Sequence, residues 1–110
     1  EPKPEYNLKG KRILLAEDNE LNMEIAKTLL EMQGMVVEPA VNGAEAAAMV
    51  QNHPEGTYYA VLMDIRMPVM EGLTAARKIR ALPGERGKVA ILAMSADAFE
   101  KIRQKPEKRE

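Results

Sequence analysis

The sequence predicts a single α/β domain built on a parallel sheet with helices on both faces. Two observations support this fold class. Short apolar runs alternate with segments of helical periodicity along the chain. The runs are apolar almost without interruption, which is typical of strands buried on both faces. The length of 110 residues suits one domain and leaves no room for a second.

The first strand and helix are indicated at the start of the domain. KRILLA, at 11–16, is a short apolar run of the kind that forms a buried parallel strand. Asn19 is suited to cap a helix, and Gly34 to end it. Apolar residues recur between them at helical spacing: Leu21, Ile25, Leu29 and Met32.

The second strand and helix follow in the same pattern. MVVEPA, at 35–40, predicts a strand, and Pro39 favours a place at the edge of the sheet because it cannot donate a ladder hydrogen bond. The Asn42-Gly43 pair predicts a turn into an Ala-rich helix at 44–52.

A third strand is predicted at 58–63, YYAVLM. The helix after it is expected to turn Leu73, Ala76 and Ile79 towards the core, and the Pro83-Gly84 pair closes it.

The rest of the chain predicts a fourth strand at 88–94 and the beginning of a fourth helix at 96–105. The expected organisation is a linker or tail at 1–9, a domain at 10–99 and a charged helix end or tail at 100–110.

Composition excludes several classes of protein. The net charge is −1 and aromatic residues make up 4% of the chain, so neither a global field nor base stacking favours nucleic-acid binding. The absence of Cys excludes disulfides and thiolate metal sites. The apolar runs are shorter than a membrane span and the first residues lack a signal-peptide pattern, so we expect no membrane contact and a soluble, cytoplasmic domain.

Polar side chains follow three of the predicted strands. Glu17 and Asp18 follow the first strand, Asp64 follows the third, and Ser95 follows the fourth. Ligands of doubly wound sheets bind beyond the carboxyl ends of the strands. If the first and third strands are neighbours, three carboxylates meet there, repel one another and call for a hard divalent cation such as Mg²⁺. An Asp carboxylate beside such an ion can attack a phosphoryl group.

Each of these residues also has a simpler interpretation by itself. Glu17 and Asp18 suit a helix amino terminus, where acids complement the dipole. Asp64 suits an ordinary turn or cap, and Ser95 suits a helix cap. Their joint occurrence at the ends of three strands favours a site, and a capping role can coexist with it.

Three segments carry a resemblance to a known family. They are ILLAEDNELN at 13–22, VLMDIRMPVMEG at 61–72 and ILAMSADAF at 91–99, and the Asn-Gly turn fits as well. In this order they resemble the receiver (REC) domain of two-component response regulators. Their residues are most similar to those of the receivers of hybrid sensor histidine kinases.

The resemblance implies a flavodoxin-like (CheY-like) doubly wound sheet of order 2-1-3-4-5. It implies a signal-transduction phosphoprotein in which Asp64 takes a phosphoryl group from a phosphohistidine of a histidine kinase or histidine phosphotransfer domain, followed by slow self-hydrolysis. Asp18 and Asp64 would ligate Mg²⁺ directly, Glu17 through water and Arg66 through its backbone carbonyl. Ser95 would be the switch hydroxyl that turns towards the phosphoryl group.

The chain departs from the family pattern after Ser95. The family continues with a fifth strand ending in Lys-Pro and a last helix. Lys105-Pro106 follows too soon for a helix and a strand, so we expect both elements to be absent from this chain. Truncation, engineering, a segment missing from the structure or supply by another chain would each account for this. The fourth strand would then be an exposed edge, which predicts a homodimer or a partner chain covering it.

Two other functions remain open from the sequence. One is a truncated or engineered receiver-like fragment that acts as a self-associating binding scaffold with impaired signalling. The other is a metal-dependent phosphohydrolase with Asp64 as nucleophile. Such enzymes commonly carry a second acid two residues on, where this chain has Arg66.

Overall fold

The computed structural model describes residues 9–64 and 70–93. Within them a four-stranded parallel sheet has the order β2-β1-β3-β4. Its strands are β1 (Arg12–Ala16), β2 (Val36–Ala40), β3 (Ala60–Met63) and β4 (Ala90–Ala93). The helices are α1 (Glu20–Met32), α2 (Gly43–Asn52) and α3 (Gly72–Arg80), and a 3₁₀ helix spans Gly84–Lys88. The predicted doubly wound sheet and the order 2-1-3-4 are confirmed.

The central strands β1 and β3 are buried on both faces, as their apolar runs predict. Alternate residues point to opposite faces of the sheet and so enter two separate hydrophobic clusters. Leu14 and Val61 belong to the cluster that includes residues of α2 and α3, whereas Ile13 and Leu62 belong to the cluster that includes residues of α1. This double burial fixes the strands and hence the places where they end.

Asparagine side chains cap the first two helices. The Asn19 side chain accepts a hydrogen bond from the Asn22 N–H at 2.9 Å, and the Asn42 side chain accepts one from the Glu45 N–H at 2.7 Å. Each bond satisfies a backbone donor that the helix itself leaves without an acceptor. The predicted Asn19 cap and the predicted turn at Asn42-Gly43 are confirmed, and both caps stand directly beside the carboxyl ends of strands.

The predicted helix faces need correction. The regularly spaced apolar residues of α1 lie on its exposed side, and Leu30 together with the half-buried Met23 and Ala26 packs against the sheet instead. On α3, Ile79 is buried as predicted, but Leu73 is 54% exposed and Ala75 takes the core position. In both helices a second set of residues also has helical spacing, and packing against the sheet selects that set.

Element ends differ from the predictions by a few residues. The third helix ends at Arg80, and the Pro83-Gly84 pair leads into a 3₁₀ helix that the sequence analysis did not foresee. Pro39 lies in an edge strand of the described sheet, as predicted.

The predicted helix at 96–105 lies outside the described residues. In the described part of the chain no helix is long and apolar enough to cross a membrane.

Candidate functional site

The register of β1 and β3 places the residues that directly follow the two strands next to each other. Ala16 pairs with Met63 at the end of the ladder, so Glu17 and Asp64 leave the sheet side by side. The Asp64 N–H donates to the Ala16 carbonyl oxygen at 3.0 Å, which holds the acid against the end of β1.

The end of β2 supports the same edge from the other side. The Glu17 N–H donates to the Ala40 carbonyl oxygen at 3.0 Å. Glu17 is therefore held by a neighbouring strand at its backbone, as Asp64 is. These two supporting carbonyls were not foreseen, because a backbone group has no signature in the side-chain sequence. Only the strand order 2-1-3 could have indicated that the residue after β1 lies between two neighbours.

Three carboxylates converge at this edge. Glu17, Asp18 and Asp64 each offer an oxygen within 4.8 Å of the others. Glu17 is buried, with 4% of its surface exposed, Asp64 is half-buried and Asp18 is exposed. The cluster predicted from the sequence is thus formed, and it is open to solvent on one side.

The surroundings of the buried acid, Glu17, shift the pKa of its carboxyl. Burial raises the pKa of the Glu17 carboxyl above its usual range, and the negative charges of Asp64 and Asp18 raise it further. The Asn19 N–H, which donates to Glu17 Oε2 at 3.0 Å, acts in the opposite direction on this pKa. Negative charge at this position is therefore costly unless a cation neutralises it.

The donor set fits a hard divalent cation. All three candidate ligands are carboxylate oxygens, which Mg²⁺ prefers, and the exposed side leaves room for the water molecules that Mg²⁺ usually keeps. Soft metals favour thiolates, which this chain lacks, or imidazole. Glu17, Asp18 and Asp64 could therefore hold Mg²⁺ together.

Two other residues were predicted for this site. Ser95 and the backbone carbonyl of Arg66 lie outside the described residues, so their roles as switch hydroxyl and metal ligand stay predictions.

A cavity of about 460 Å³ lies at the opposite end of the sheet from the acids. Its lining includes Tyr58, Tyr59, Arg86 and Leu92. The Arg86 guanidinium already donates to the His53 carbonyl oxygen at 2.8 Å, which ties it to the cavity wall. None of the three clustered acids lines this cavity. The candidate site is therefore the acidic cluster at the carboxyl ends of β1 and β3, and not the cavity.

A doubly wound sheet with three carboxylates at the carboxyl ends of β1 and β3 defines a class of α/β proteins with an acidic edge. The family model for the response regulator receiver domain matches residues 13–107. The chain belongs to this family.

Relatives place the domain among the receivers of hybrid kinases. The chain is 34% identical over 94 residues to hybrid signal transduction histidine kinase L of Dictyostelium discoideum, covering 80% of this chain and 5% of that protein. It is 34% identical over 104 residues to the peroxide stress-activated histidine kinase mak3 of Schizosaccharomyces pombe, covering 87% of this chain and 4% of that protein. The chain thus spans a small part of the length of these relatives.

Solved structures agree with the family. The receiver domain of a sensor histidine kinase from Pseudomonas aeruginosa, with a magnesium ion coordinated in its active-site cleft, superposes with a TM-score of 0.71. It is 35% identical, and the match covers 86% of this chain and 75% of that one. A Saccharomyces cerevisiae receiver domain, solved in complex with a histidine phosphotransfer protein, has a TM-score of 0.67 at 26% identity, covering 81% and 66%.

Proposed function

We propose that this receiver domain takes a phosphoryl group onto Asp64 while Mg²⁺ is held by Glu17, Asp18 and Asp64. The donor is the phosphohistidine of a histidine kinase or histidine phosphotransfer domain. The observation that supports the proposal is the convergence of the three carboxylates within 4.8 Å at the ends of two buried strands. Asp64 is the member that stands at the end of the central strand β3 and is still half-exposed.

The transfer needs a nucleophile whose position is fixed. A carboxylate oxygen of Asp64 attacks the phosphorus, the P–N bond to the donor imidazole breaks, and the imidazole nitrogen keeps the electron pair. Buried β3 and the hydrogen bond to Ala16 hold Asp64 in place for this attack. When bound, Mg²⁺ supplies positive charge that offsets the charge on the phosphoryl oxygens.

Two further roles belong to this proposal. The Arg66 carbonyl completes the metal site, and the Ser95 hydroxyl turns towards the phosphoryl group as the switch. Slow loss of the phosphoryl group by hydrolysis resets the domain. The family match, which runs through both positions, supports these assignments.

The partner is proposed from the same comparisons. A related receiver domain has been solved in complex with a histidine phosphotransfer protein, and the similar full-length proteins are histidine kinases. We also propose that a second copy or a partner chain covers the β4 side of the sheet, since β4 is an edge of the described sheet and is less buried than β3. Sedimentation at increasing protein concentration tests self-association, and a monomer throughout would contradict the dimer.

The test of phosphoryl transfer is incubation with Mg²⁺ and acetyl phosphate, followed by intact-mass measurement. The wild-type protein is expected to gain one phosphoryl group, and Asp64→Asn none. Glu85→Gln serves as the control, because it removes an acid at the far end of the sheet. A wild type that gains no phosphoryl group, or an Asp64→Asn variant that still gains one, would overturn the proposal.

The other outcomes are informative as well. Rapid consumption of acetyl phosphate over many turnovers would indicate a phosphohydrolase, since the proposed receiver hydrolyses its phosphoryl group only slowly. Magnesium binding without phosphoryl gain would indicate a scaffold, a function that no observation in the described residues favours.

A further inference from the structure

The turn between β2 and α2 contacts the acidic edge on both of its sides. On one side the Ala40 carbonyl accepts the Glu17 N–H at 3.0 Å. On the other side Gly43, the first residue of α2, lies against the backbone of Met70, the residue before the Glu71 cap of α3. The turn therefore contacts the segment that carries Glu17 on one side and Met70, before α3, on the other.

The turn is itself held by two side-chain bonds. The Asn42 side chain accepts the Glu45 N–H at 2.7 Å, and Glu45 Oε1 accepts the Val41 N–H at 2.8 Å. These bonds cross the turn in opposite directions, much as in a capping box. The two bonds tie the residue after β2 to the first turn of α2.

Gly43 is required here by space and not by backbone conformation. Its backbone is not in the left-handed region, unlike that of Gly34. A Cβ on Gly43 would lie 2.3 Å from the Met70 carbonyl oxygen and 3.1 Å from the Ala75 Cβ. The first distance is far inside van der Waals contact, and the atom met is backbone, which cannot rotate away.

We propose that Gly43 is a positioning residue for the phosphoacceptor site. By having no side chain it lets α2 close onto Met70, and this sets the position of the turn, whose Ala40 carbonyl holds the Glu17 N–H at the acidic edge. The inference rests on the proposed function for its chemical consequence, since the position matters through Mg²⁺ binding and attack by Asp64.

The variant that tests it is Gly43→Ala. The added methyl group must push the Met70 carbonyl away by about 1 Å to reach ordinary contact, and a misplacement of that size can cost on the order of 10²-fold in rate. We expect the initial rate of phosphorylation by acetyl phosphate to fall by about this factor. Mg²⁺ affinity, measured by calorimetric titration, is expected to fall on the order of tenfold.

Gly87→Ala is a matched control. A Cβ there would lie 2.4 Å from the Leu82 carbonyl oxygen, so the clash is of the same kind and size. Gly87 lies before β4, at the amino end of the parallel sheet and away from the acids. Both variants are expected to lose similar thermal stability, and only Gly43→Ala is expected to lose Mg²⁺ affinity and phosphorylation rate. Equal losses of function in the two variants would overturn the inference, and so would an unchanged site in Gly43→Ala.

A double variant separates the contact with Ala75 from the clash with the Met70 carbonyl. Gly43→Ala with Ala75→Gly removes the methyl contact at 3.1 Å but keeps the clash with the Met70 carbonyl. It is expected to keep the site defect and not to melt at a higher temperature than Gly43→Ala, because a glycine inside α3 is itself destabilising. Recovery of wild-type phosphorylation in the double variant would show that helix packing alone was disturbed, which contradicts the proposed role.

Backbone amide NMR separates this inference from the proposed function. In Gly43→Ala the amide signals of Met70, Asp64 and Glu17 are expected to shift, and in Gly87→Ala they are expected to stay. If the wild type gains no phosphoryl group, the proposed function fails and these shifts still decide whether Gly43 sets the position of the acidic edge. Unshifted Asp64 and Glu17 signals would overturn the inference.

Discussion

The Asp64 N–H donates a hydrogen bond to the Ala16 carbonyl oxygen, with 3.0 Å between the two atoms. This bond continues the pairing of β1 with β3 past its last residue pair, Ala16 and Met63. It places the Asp64 side chain close to those of Glu17 and Asp18, which directly follow β1. The acidic site is therefore a direct consequence of strand register, and a one-residue slip of β3 would turn Asp64 to the other face.

Magnesium is expected to stabilise the folded protein, because it binds a site that the unfolded chain does not have. At a concentration of one hundred times Kd the free energy of unfolding should rise by about 2.7 kcal/mol. Urea denaturation with and without Mg²⁺ measures this gain. Asp18→Asn should reduce the gain, whereas Glu24→Gln, on the exposed side of α1, should keep it. The absence of any gain in the wild type would contradict a metal site.

Removing one charge from the metal-free cluster is expected to stabilise the fold. Burial and the neighbouring acids disfavour the Glu17 carboxylate, so Glu17→Gln should raise the free energy of unfolding at neutral pH on the order of 1 kcal/mol. Glutamine keeps an oxygen that can accept the Asn19 N–H. Denaturation at low and high salt tests the cause, since the gain should shrink as ions screen the repulsion. A loss of stability at low salt would refute this account.

Two neighbouring leucines of α1 are expected to differ sharply. Leu30 is 3% exposed and Leu29 is 55% exposed. Leu30→Ala should cost about 2–5 kcal/mol in free energy of unfolding, because it empties a core position. Leu29→Ala should change it by less than about 0.5 kcal/mol. Urea denaturation of the two variants measures the difference, and equal losses would show that the exposed side of α1 is covered in solution.

The same helix shows why its buried face could not be predicted. Leu21, Ile25 and Leu29 recur at helical spacing, and so do Met23, Ala26 and Leu30. Periodicity identifies the helix but gives no preference between two apolar sets. The choice depends on how closely the helix approaches the sheet, which favours the set containing the small Ala26. The same holds for α3, where the small Ala75 takes the place expected for Leu73.

Strands and site were predictable for a different reason. A continuous apolar run needs no choice of face, so β1 and β3 followed from the sequence, and strand order then brought Glu17, Asp18 and Asp64 together. The contact of Gly43 with Met70 could not be predicted, since it depends on how α2 packs against the connection to α3. An Asn-Gly pair indicates a turn and gives no information on what the turn contacts.

Titration of the Tyr58 hydroxyl is expected to make the free energy of unfolding depend on pH in the alkaline range. Its hydroxyl donates to Glu38 Oε1 at 2.8 Å, and Glu38 also forms an ion pair with Arg12. Burial raises the pKa of the Tyr58 hydroxyl above its usual range, and the hydrogen bond to Glu38 raises it further. The unfolded chain, in which this pKa is about 10, then releases the proton before the folded protein does. The stabilisation that Tyr58 contributes to the free energy of unfolding is therefore fully present below pH of about 10. It is lost as the pH rises above that value, by up to about 1.4 kcal/mol per pH unit.

Tyr58→Phe isolates this contribution from the titration of lysines, which both proteins share. At neutral pH the variant should be less stable by roughly 1.5–3 kcal/mol, because the hydrogen bond to a charged group is lost. The difference should narrow as the pH rises above about 10, since the wild type loses the stability that the variant never had. Urea denaturation between neutral pH and pH of about 11 measures both quantities. Parallel pH profiles for the two proteins would mean that the Tyr58 hydroxyl titrates in the folded state as it does in the unfolded chain, and the hydrogen bond to Glu38 would then carry no net stabilisation.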